Sequence, residues 1–192
     1  GFPFGLYHYT GATRGQEAFL ADVPLMDSLS FTFLAYASFC LARAALARGR
    51  PSRWRLSLLA GTLMMLLDVV IDPLAVRGDR WFLGRIFYYP EGGAYFGVPL
   101  SNFFGWLLVG TAGVGGYLWL AGRATGTAAR PGVALYYAVL IFNLSVTAWI
   151  GEWPLVGIGL ILHVAAGLGL AYLYHRGPGQ TPGLETPGVQ QA

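Results

Sequence analysis

Five apolar stretches, each close to the length that crosses a lipid bilayer, most constrain how this chain folds. About 20 apolar residues cross the hydrocarbon core as a helix, because a helix satisfies every backbone polar group within its own segment. We therefore predict an all-α protein, a polytopic transmembrane helical bundle of about five spans. The predicted spans cover residues 29–47, 54–72, 98–121, 133–150 and 155–174.

The composition agrees with a membrane protein. Hydrophobic residues make up 55% of the 192 residues and charged residues only 11%, which is too apolar for an ordinary soluble domain. We expect residues 1–176 to form a single transmembrane domain. Residues 177–192 are rich in Pro, Gly and Gln, which predicts a flexible tail. The first residues have no basic segment leading into an apolar run, so they do not indicate a signal peptide.

The arginines predict the orientation of the chain. All twelve basic residues are arginine and no helix carries a basic face, so we expect no nucleic-acid partner. The side with more arginines is the cytoplasmic side. One side holds Arg43, Arg48, Arg50, Arg53, Arg55, Arg123, Arg130 and Arg176, and the other holds Arg14, Arg77, Arg80 and Arg85. This predicts an integral protein of the cytoplasmic (inner) membrane with its N-terminus outside and its C-terminus in the cytoplasm.

Two segments at the predicted outer side are neither spans nor simple loops. Residues 73–96 are too polar to cross a bilayer and too aromatic for a loose connection, so we predict an interfacial or re-entrant element folded over the helix ends. Residues 1–24 contain several glycines and prolines together with aromatic residues, which predicts an interfacial cap. Eight of the nine acidic residues map to this outer half, so a site there would face outward.

Asp68 and Asp72 are the strongest candidates for chemistry. They lie four residues apart at the end of an apolar run, so both project from one helix face. Two like charges near lipid favour keeping one carboxyl protonated, which would make it a proton donor. The alternative is structural: the aspartates cap loop amides or pair with Arg77, Arg80 or Arg85. No His or Cys stands nearby to complete a ligand set, so no metal site is predicted.

Other polar and aromatic residues are placed to join this pair. Asn102, just inside the third span, and Glu91, in the preceding loop, could converge on the two aspartates. Tyr88, Tyr89 and Tyr95 offer hydroxyls and ring faces, and an aromatic face stabilises a cation. The alternative for each tyrosine is membership of an aromatic belt at the membrane interface.

Four further residues carry weaker signals. Asn143 and His163 fall near the middle of the fourth and fifth spans, where an unpaired polar group is costly, so we predict hydrogen bonds across that helix pair. Cys40 lies in an apolar run and is predicted to be a small packing residue. His8 is ambiguous between a part of the cap over the site and an interfacial residue.

With these residues in view, the sequence resembles the CruF-type carotenoid hydratase family, which includes carotenoid 1′,2′-hydratases and bisanhydrobacterioruberin hydratases. The matching elements are GFPFGLYHYTG at residues 1–11, Val23-Pro24, Asp68 with Asp72-Pro73-Leu74-Ala75, Trp81, and YFGVPLSNFFGW at residues 95–106. The order and spacing of these motifs also match. The last two spans match only in hydropathy, and the family usually carries further helices before the GFPFG motif on which this sequence begins.

The resemblance implies a hydratase, a carbon–oxygen lyase without a redox cofactor, that adds water to the terminal double bond of an acyclic carotenoid or other polyisoprenoid. It implies that Asp72 or Asp68 delivers the proton while its partner, with Glu91 or Asn102, orients the water. The residues expected to bind the polyene end are Trp81, Tyr88, Tyr89, Tyr95, Phe103 and Trp106. The substrate would enter from the membrane lipid through gaps between glycine-rich helices.

A second function class uses the same fold without catalysis. The chain would then be a transmembrane subunit that binds carotenoid, lipid or a neighbouring helix within a larger pigment–protein complex. The small-residue helix faces favour that alternative. A transporter is a third class, and it lacks support because no inverted repeat is visible.

Overall fold

The computed structural model of the protein describes residues 7–122 and 129–177. These residues form five long helices: α1 (Leu25–Ala45), α2 (Arg53–Ala75), α3 (Leu100–Leu120), α4 (Ala129–Trp149) and α5 (Trp153–Arg176). All five are long and apolar enough to cross a membrane, and the prediction of an all-α helical bundle is confirmed. The tail predicted from residue 177 onward lies outside the described residues, apart from Gly177.

The first two helices extend beyond the predicted spans at the end that matters for the site. Helix α1 begins directly after Pro24, and the Glu17 carboxylate accepts a hydrogen bond from the Met26 amide in its first turn. This start places Asp27 inside the helix. Helix α2 continues past Asp72 and through Pro73 to Ala75. Asp72 therefore lies within the helix, which continues for three more residues.

Helix α2 is the central helix of the bundle, and glycines allow α3 to pack closely against it. A side chain at Gly61 would collide with Thr111 and with the backbone of α3. A Cβ atom added at Gly110 on α3 would lie 3.0 Å from the Cα atom of Gly61. Small residues permit this close approach of the two helices. Helix α5 is the most exposed, with Leu155, Gly159 and Leu170 as its buried residues.

Two segments cover one end of the bundle, and we call residues 7–24 and 76–99 together the cap. Strand β1 (His8–Tyr9) pairs antiparallel with β4 (Phe87–Tyr88), with Tyr9 opposite Phe87. Strands β2 (Phe19–Leu20) and β3 (Val23–Pro24) form a tight hairpin just before α1. A short 3₁₀ turn follows α2 at Gly78–Arg80. The cap is therefore an interfacial layer fastened by backbone hydrogen bonds.

Ion pairs attach the cap to the connector between α4 and α5. Arg77 Nε lies 3.1 Å from a carboxylate oxygen of Glu152, and Arg80 forms a second ion pair with the same oxygen. Arg77 also donates to the Phe96 carbonyl oxygen at 2.7 Å, within the cap. Burial raises the pKa of Glu152, but hydrogen bonds from Arg80 and Arg77 outweigh it and leave that pKa below its ordinary value. Glu152 is thus a charged anchor for the cap.

The prediction that Asn143 and His163 bond across α4 and α5 is wrong. Asn143 donates to the Val139 carbonyl oxygen at 2.9 Å, and His163 Nδ1 lies 2.9 Å from the Gly159 carbonyl oxygen. Each side chain thus bonds to its own helix one turn back, although His163 Nε2 is buried without a hydrogen-bond partner among the described residues. Cys40 is buried, and a side chain added at Gly132 would collide with it.

Candidate active site

Three polar side chains meet where the C-terminal end of α2 packs against the N-terminal end of α3. One nitrogen, Asn102 Nδ2, donates to Asp68 Oδ2 at 2.9 Å and to Asp72 Oδ2 at 2.6 Å. Asp68 is completely buried and Asp72 is 6% exposed. The spacing of the aspartates puts both on the α2 face toward α3, and Asn102 lies in the first turn of α3. The amide therefore bridges two buried carboxyl groups.

The cap adds a fourth member to this group. The Tyr89 hydroxyl donates to Asp72 Oδ2 at 3.0 Å. Side chains alternate between the two faces of a strand, so Phe87 and Tyr89 are buried while Tyr88 between them is exposed. Burial raises the pKa of Tyr89 above its usual value of 10.0, and the neighbouring Asp72 carboxyl group raises it further. Tyr89 is therefore a hydrogen-bond donor throughout the physiological pH range.

In the part of the chain that the structure describes, no arginine forms an ion pair with either aspartate. Arg77 and Arg80 pair with Glu152 instead, so the structural alternative in which they hold the aspartates is wrong for those two arginines. The same described residues contain no group of three acidic, histidine or cysteine side chains suited to a metal ion.

Asp72 faces two spaces at once. A small polar cavity of about 70 Å³ lies between Asp72, Asn102, Tyr89 and residues of α1 and α3. An apolar groove of about 370 Å³ runs between α1, α2 and α4 beneath the cap. Asp72, Asp27, Phe87 and Trp106 line both spaces. A carboxyl group thus stands where a site for water adjoins a site for hydrocarbon.

The structure brings some of the predicted site residues to these spaces and leaves others away from them. Trp106 lines both and stacks on Phe31 with 4.2 Å between ring centroids, and Trp81 lines the groove. Tyr95 and Phe103 contact each other and pack against the cap core without lining either space.

Two predicted residues lie outside the site. Tyr88 is 40% exposed and stacks on the exposed His8, 5.9 Å away between centroids. Glu91 is exposed and is not among the residues that line the cavity or the groove. Glu91 follows the buried Tyr89 by two residues, but a turn closed by the Gly92 amide separates them, so strand alternation no longer directs its side chain inward.

Sequence reasoning missed Asp27 and the residues that hold it. Asp27 lines both spaces, and the Tyr9 hydroxyl donates to its carboxyl group. The Tyr7 hydroxyl lies 3.3 Å from that of Tyr9. One signal was available: Asp27 lies three positions after Pro24, in the first turn of a span and at the end of the bundle where the pair was predicted.

The fold and site together define a polytopic membrane protein with buried carboxyl groups beside an apolar groove. The chain belongs to the carotenoid biosynthesis protein family, which it matches over residues 1–166. The resemblance drawn from the motifs is confirmed.

Part of the chain is similar to a protein that is named as a hydratase. The chain is similar to the bisanhydrobacterioruberin hydratase of Haloarcula japonica, with 32% identity over 114 residues. That match covers 59% of this chain and 36% of the relative, so the chain spans about a third of the relative's length. No solved structure matches this chain. The comparisons therefore identify a carotenoid-related membrane protein.

Proposed function

We propose that this protein is a hydratase that adds water to the terminal isopropylidene double bond of an acyclic carotenoid. The observation that carries the proposal is the position of Asp72, which lines both the small polar cavity and the apolar groove. Hydration of an alkene needs an acid beside a double bond and a water molecule within reach of the same carbon atoms. The two spaces on either side of Asp72 meet both requirements.

The apolar groove has the size of a hydrocarbon chain end. Its volume of about 370 Å³ corresponds to about a dozen groups the size of a water molecule, at ~30 Å³ each, or roughly two isoprene units. Phe33 on α1 and Phe142 on α4 line it and are 39% and 48% exposed. Because these helices face lipid, a polyene dissolved in the bilayer can enter sideways between α1 and α4.

The reaction proceeds in two steps. The Asp72 carboxyl group donates its proton to the CH carbon of the terminal double bond, and the positive charge forms on the tertiary carbon. The rings of Trp106 and Phe87 border that position and stabilise the cation with their faces. A water molecule in the polar cavity, whose ~70 Å³ accommodates about two, attacks the cation. Loss of one proton from the oxygen then leaves a tertiary alcohol.

Asn102, Tyr89 and Asp68 position Asp72 for this step. Two hydrogen bonds on Asp72 Oδ2, from Asn102 and Tyr89, stabilise the carboxylate that remains after proton donation. Asp68 lines neither space and contacts the same amide from the deeper side. Two buried carboxyl groups without a cation beside them are costly when both are charged, so the resting pair retains a proton to donate. The positive charge that forms on the substrate then balances the carboxylate that the donation leaves.

The test is expression in a bacterial host that makes an acyclic carotenoid, followed by chromatography and mass analysis of the pigments. The wild-type protein is expected to produce a more polar pigment heavier by one water. Asp72→Asn abolishes this product, and Asp68→Asn reduces it strongly. Asp79→Asn is the matched control, because Asp79 is exposed in the turn just after α2. Unchanged pigment with wild-type protein present in the membrane refutes the proposal.

A second function is favoured by one observation. Gly157, Gly167 and Gly169 on α5 have no atoms within 4 Å of the position that a side chain would occupy. Such open glycine positions suit contact with further helices, as in a non-catalytic subunit that holds a carotenoid in a complex. In that case the pigment in the same experiment stays unhydrated and copurifies with the protein, together with other membrane proteins.

A further inference from the structure

A third carboxyl group, Asp27 of α1, also lines the polar cavity. Asp27 and Asp72 line both the cavity and the groove, and they belong to different helices. No hydrogen bond joins them among the described residues, so the space between them is open to a small molecule. A water molecule in the cavity therefore has one carboxyl group on each side.

The cap holds Asp27 through tyrosine hydroxyls. Tyr9 donates to Asp27 Oδ2, and the pairing of Tyr9 with Phe87 in β1 and β4 holds the tyrosine beside Asp27. Burial raises the pKa of Tyr9 above its usual value of 10.0, and the hydrogen bond to Asp27 raises it further. The Tyr9 hydroxyl thus stays protonated and is the hydrogen-bond donor, and Asp27 Oδ2 is the acceptor.

The two carboxyl groups that face the cavity have different surroundings. Asp72 shares the Asn102 amide with a second buried carboxyl group, an arrangement that retains a proton. Among the described residues Asp27 has no second carboxyl group bonded to it, so it shares no proton with another acid, and it accepts a hydrogen bond from the Tyr9 hydroxyl. Carboxyl groups in contrasting environments within one site take opposite roles, one as acid and one as base.

We infer that Asp27 accepts the proton that the attacking water molecule loses, an assignment that rests on the proposed hydratase function. Asp72 gives one proton to carbon, water forms the C–O bond, and one O–H bond of that water breaks with its proton passing to Asp27. The cycle closes when this proton returns from Asp27 to Asp72 through water in the cavity. Protons balance over the cycle, and no oxidant or reductant takes part.

The test separates protonation of the alkene from capture of the cation. Membranes containing the protein are incubated with an acyclic carotenoid in deuterated buffer, and both recovered alkene and alcohol are analysed by mass spectrometry. Asp72 then delivers deuterium to carbon. A cation that is captured gives labelled alcohol, whereas one that returns a proton from carbon gives labelled alkene. The ratio of labelled alkene to alcohol therefore measures how efficiently water is captured.

Asp27→Asn is expected to lower alcohol formation by about 100-fold, the lower end of the usual effect of a positioned base, while deuterium still enters the recovered alkene. The ratio of labelled alkene to alcohol therefore rises. Tyr9→Phe shifts the ratio in the same direction by a smaller factor. Asp22→Asn is the matched control, because Asp22 is exposed and pairs with Arg14 on the surface.

Three results overturn the inference. If Asp27→Asn forms the alcohol as fast as the wild-type protein, another group accepts the proton that the attacking water molecule loses. A parallel fall in alcohol and labelled alkene, with the ratio unchanged, shows that Asp27 acts in folding or in substrate binding. A wild-type protein that forms no alcohol contradicts the hydratase function itself, which distinguishes that failure from failure of the role of Asp27.

Discussion

The hydrogen bond from Tyr89 to Asp72 offers the sharpest test of the proposed acid. Tyr89→Phe removes one hydroxyl group and leaves the ring that packs in the cap core. If Asp72 becomes a carboxylate in the transition state, this hydrogen bond is strongest there. The variant then slows the chemical step and leaves substrate binding in the groove unchanged.

The expected size of the effect follows from the geometry. A hydrogen bond to a charged group contributes about 1.5 to 3 kcal/mol. The Tyr89 bond is 3.0 Å long, and Asp72 Oδ2 keeps a shorter bond of 2.6 Å from Asn102, so the lower value applies. A loss of about 1.5 kcal/mol slows the step roughly tenfold. We therefore expect kcat to fall about tenfold with little change in KM.

The assay measures initial rates of alcohol formation in membranes that contain equal amounts of protein. Tyr88→Phe is the matched control, because it removes the same atom from the adjacent exposed residue. Because the pKa of Tyr89 is raised above 10.0, the rate should show no decline from ionisation of this hydroxyl below about pH 10. Equal rates for the two variants, or a change confined to KM, would refute a role of Tyr89 in stabilising the acid.

Two further predictions concern the groove and the cap. Ala138→Phe fills the groove from α4 and should weaken substrate binding by about 1 to 3 kcal/mol, raising KM, whereas Ala134→Phe, one turn earlier and outside the groove lining, should not. Glu152→Gln removes the charged anchor of the cap and should lower the free energy of unfolding at pH 7 by about 1 kcal/mol, measured by denaturation in detergent. Because the folded pKa of Glu152 is below 4.5, its contribution is full above pH 4.5 and is lost as pH falls through the folded value, so wild type and variant should converge in acid.

The helices and the central pair were accessible from sequence because both depend on short-range patterns. Apolar runs of bilayer length predicted five helices, and the four-residue spacing of Asp68 and Asp72 predicted a shared face. Asn102 followed because it begins the next span at the same end of the bundle. The helix ends were less accessible, since α2 continues through Pro73, a residue that usually interrupts a helix.

The cap was not accessible because its contacts join residues far apart in sequence. Pairing of His8–Tyr9 with Phe87–Tyr88 determines which tyrosines point inward, and no local pattern predicts that partner. The six aromatic residues predicted to bind the polyene end therefore could not be divided into those that line the site and those that support it. The missed role of Asp27 has the same cause, because only the cap and the packing of α1 against α2 place it across from Asp72.

One strand pair connects the two carboxyl groups assigned to proton transfer. Tyr9, in β1, donates to Asp27, and Tyr89, the residue after β4, donates to Asp72. The register that sets Tyr9 opposite Phe87 therefore fixes the position of Tyr9 relative to the segment that carries Tyr89. A shift of β1 by one residue against β4 would turn Tyr9 to the opposite face of its strand and remove its hydrogen bond to Asp27. The backbone pairing in the cap therefore helps to position both Asp72, the proposed proton donor, and Asp27, the proposed proton acceptor.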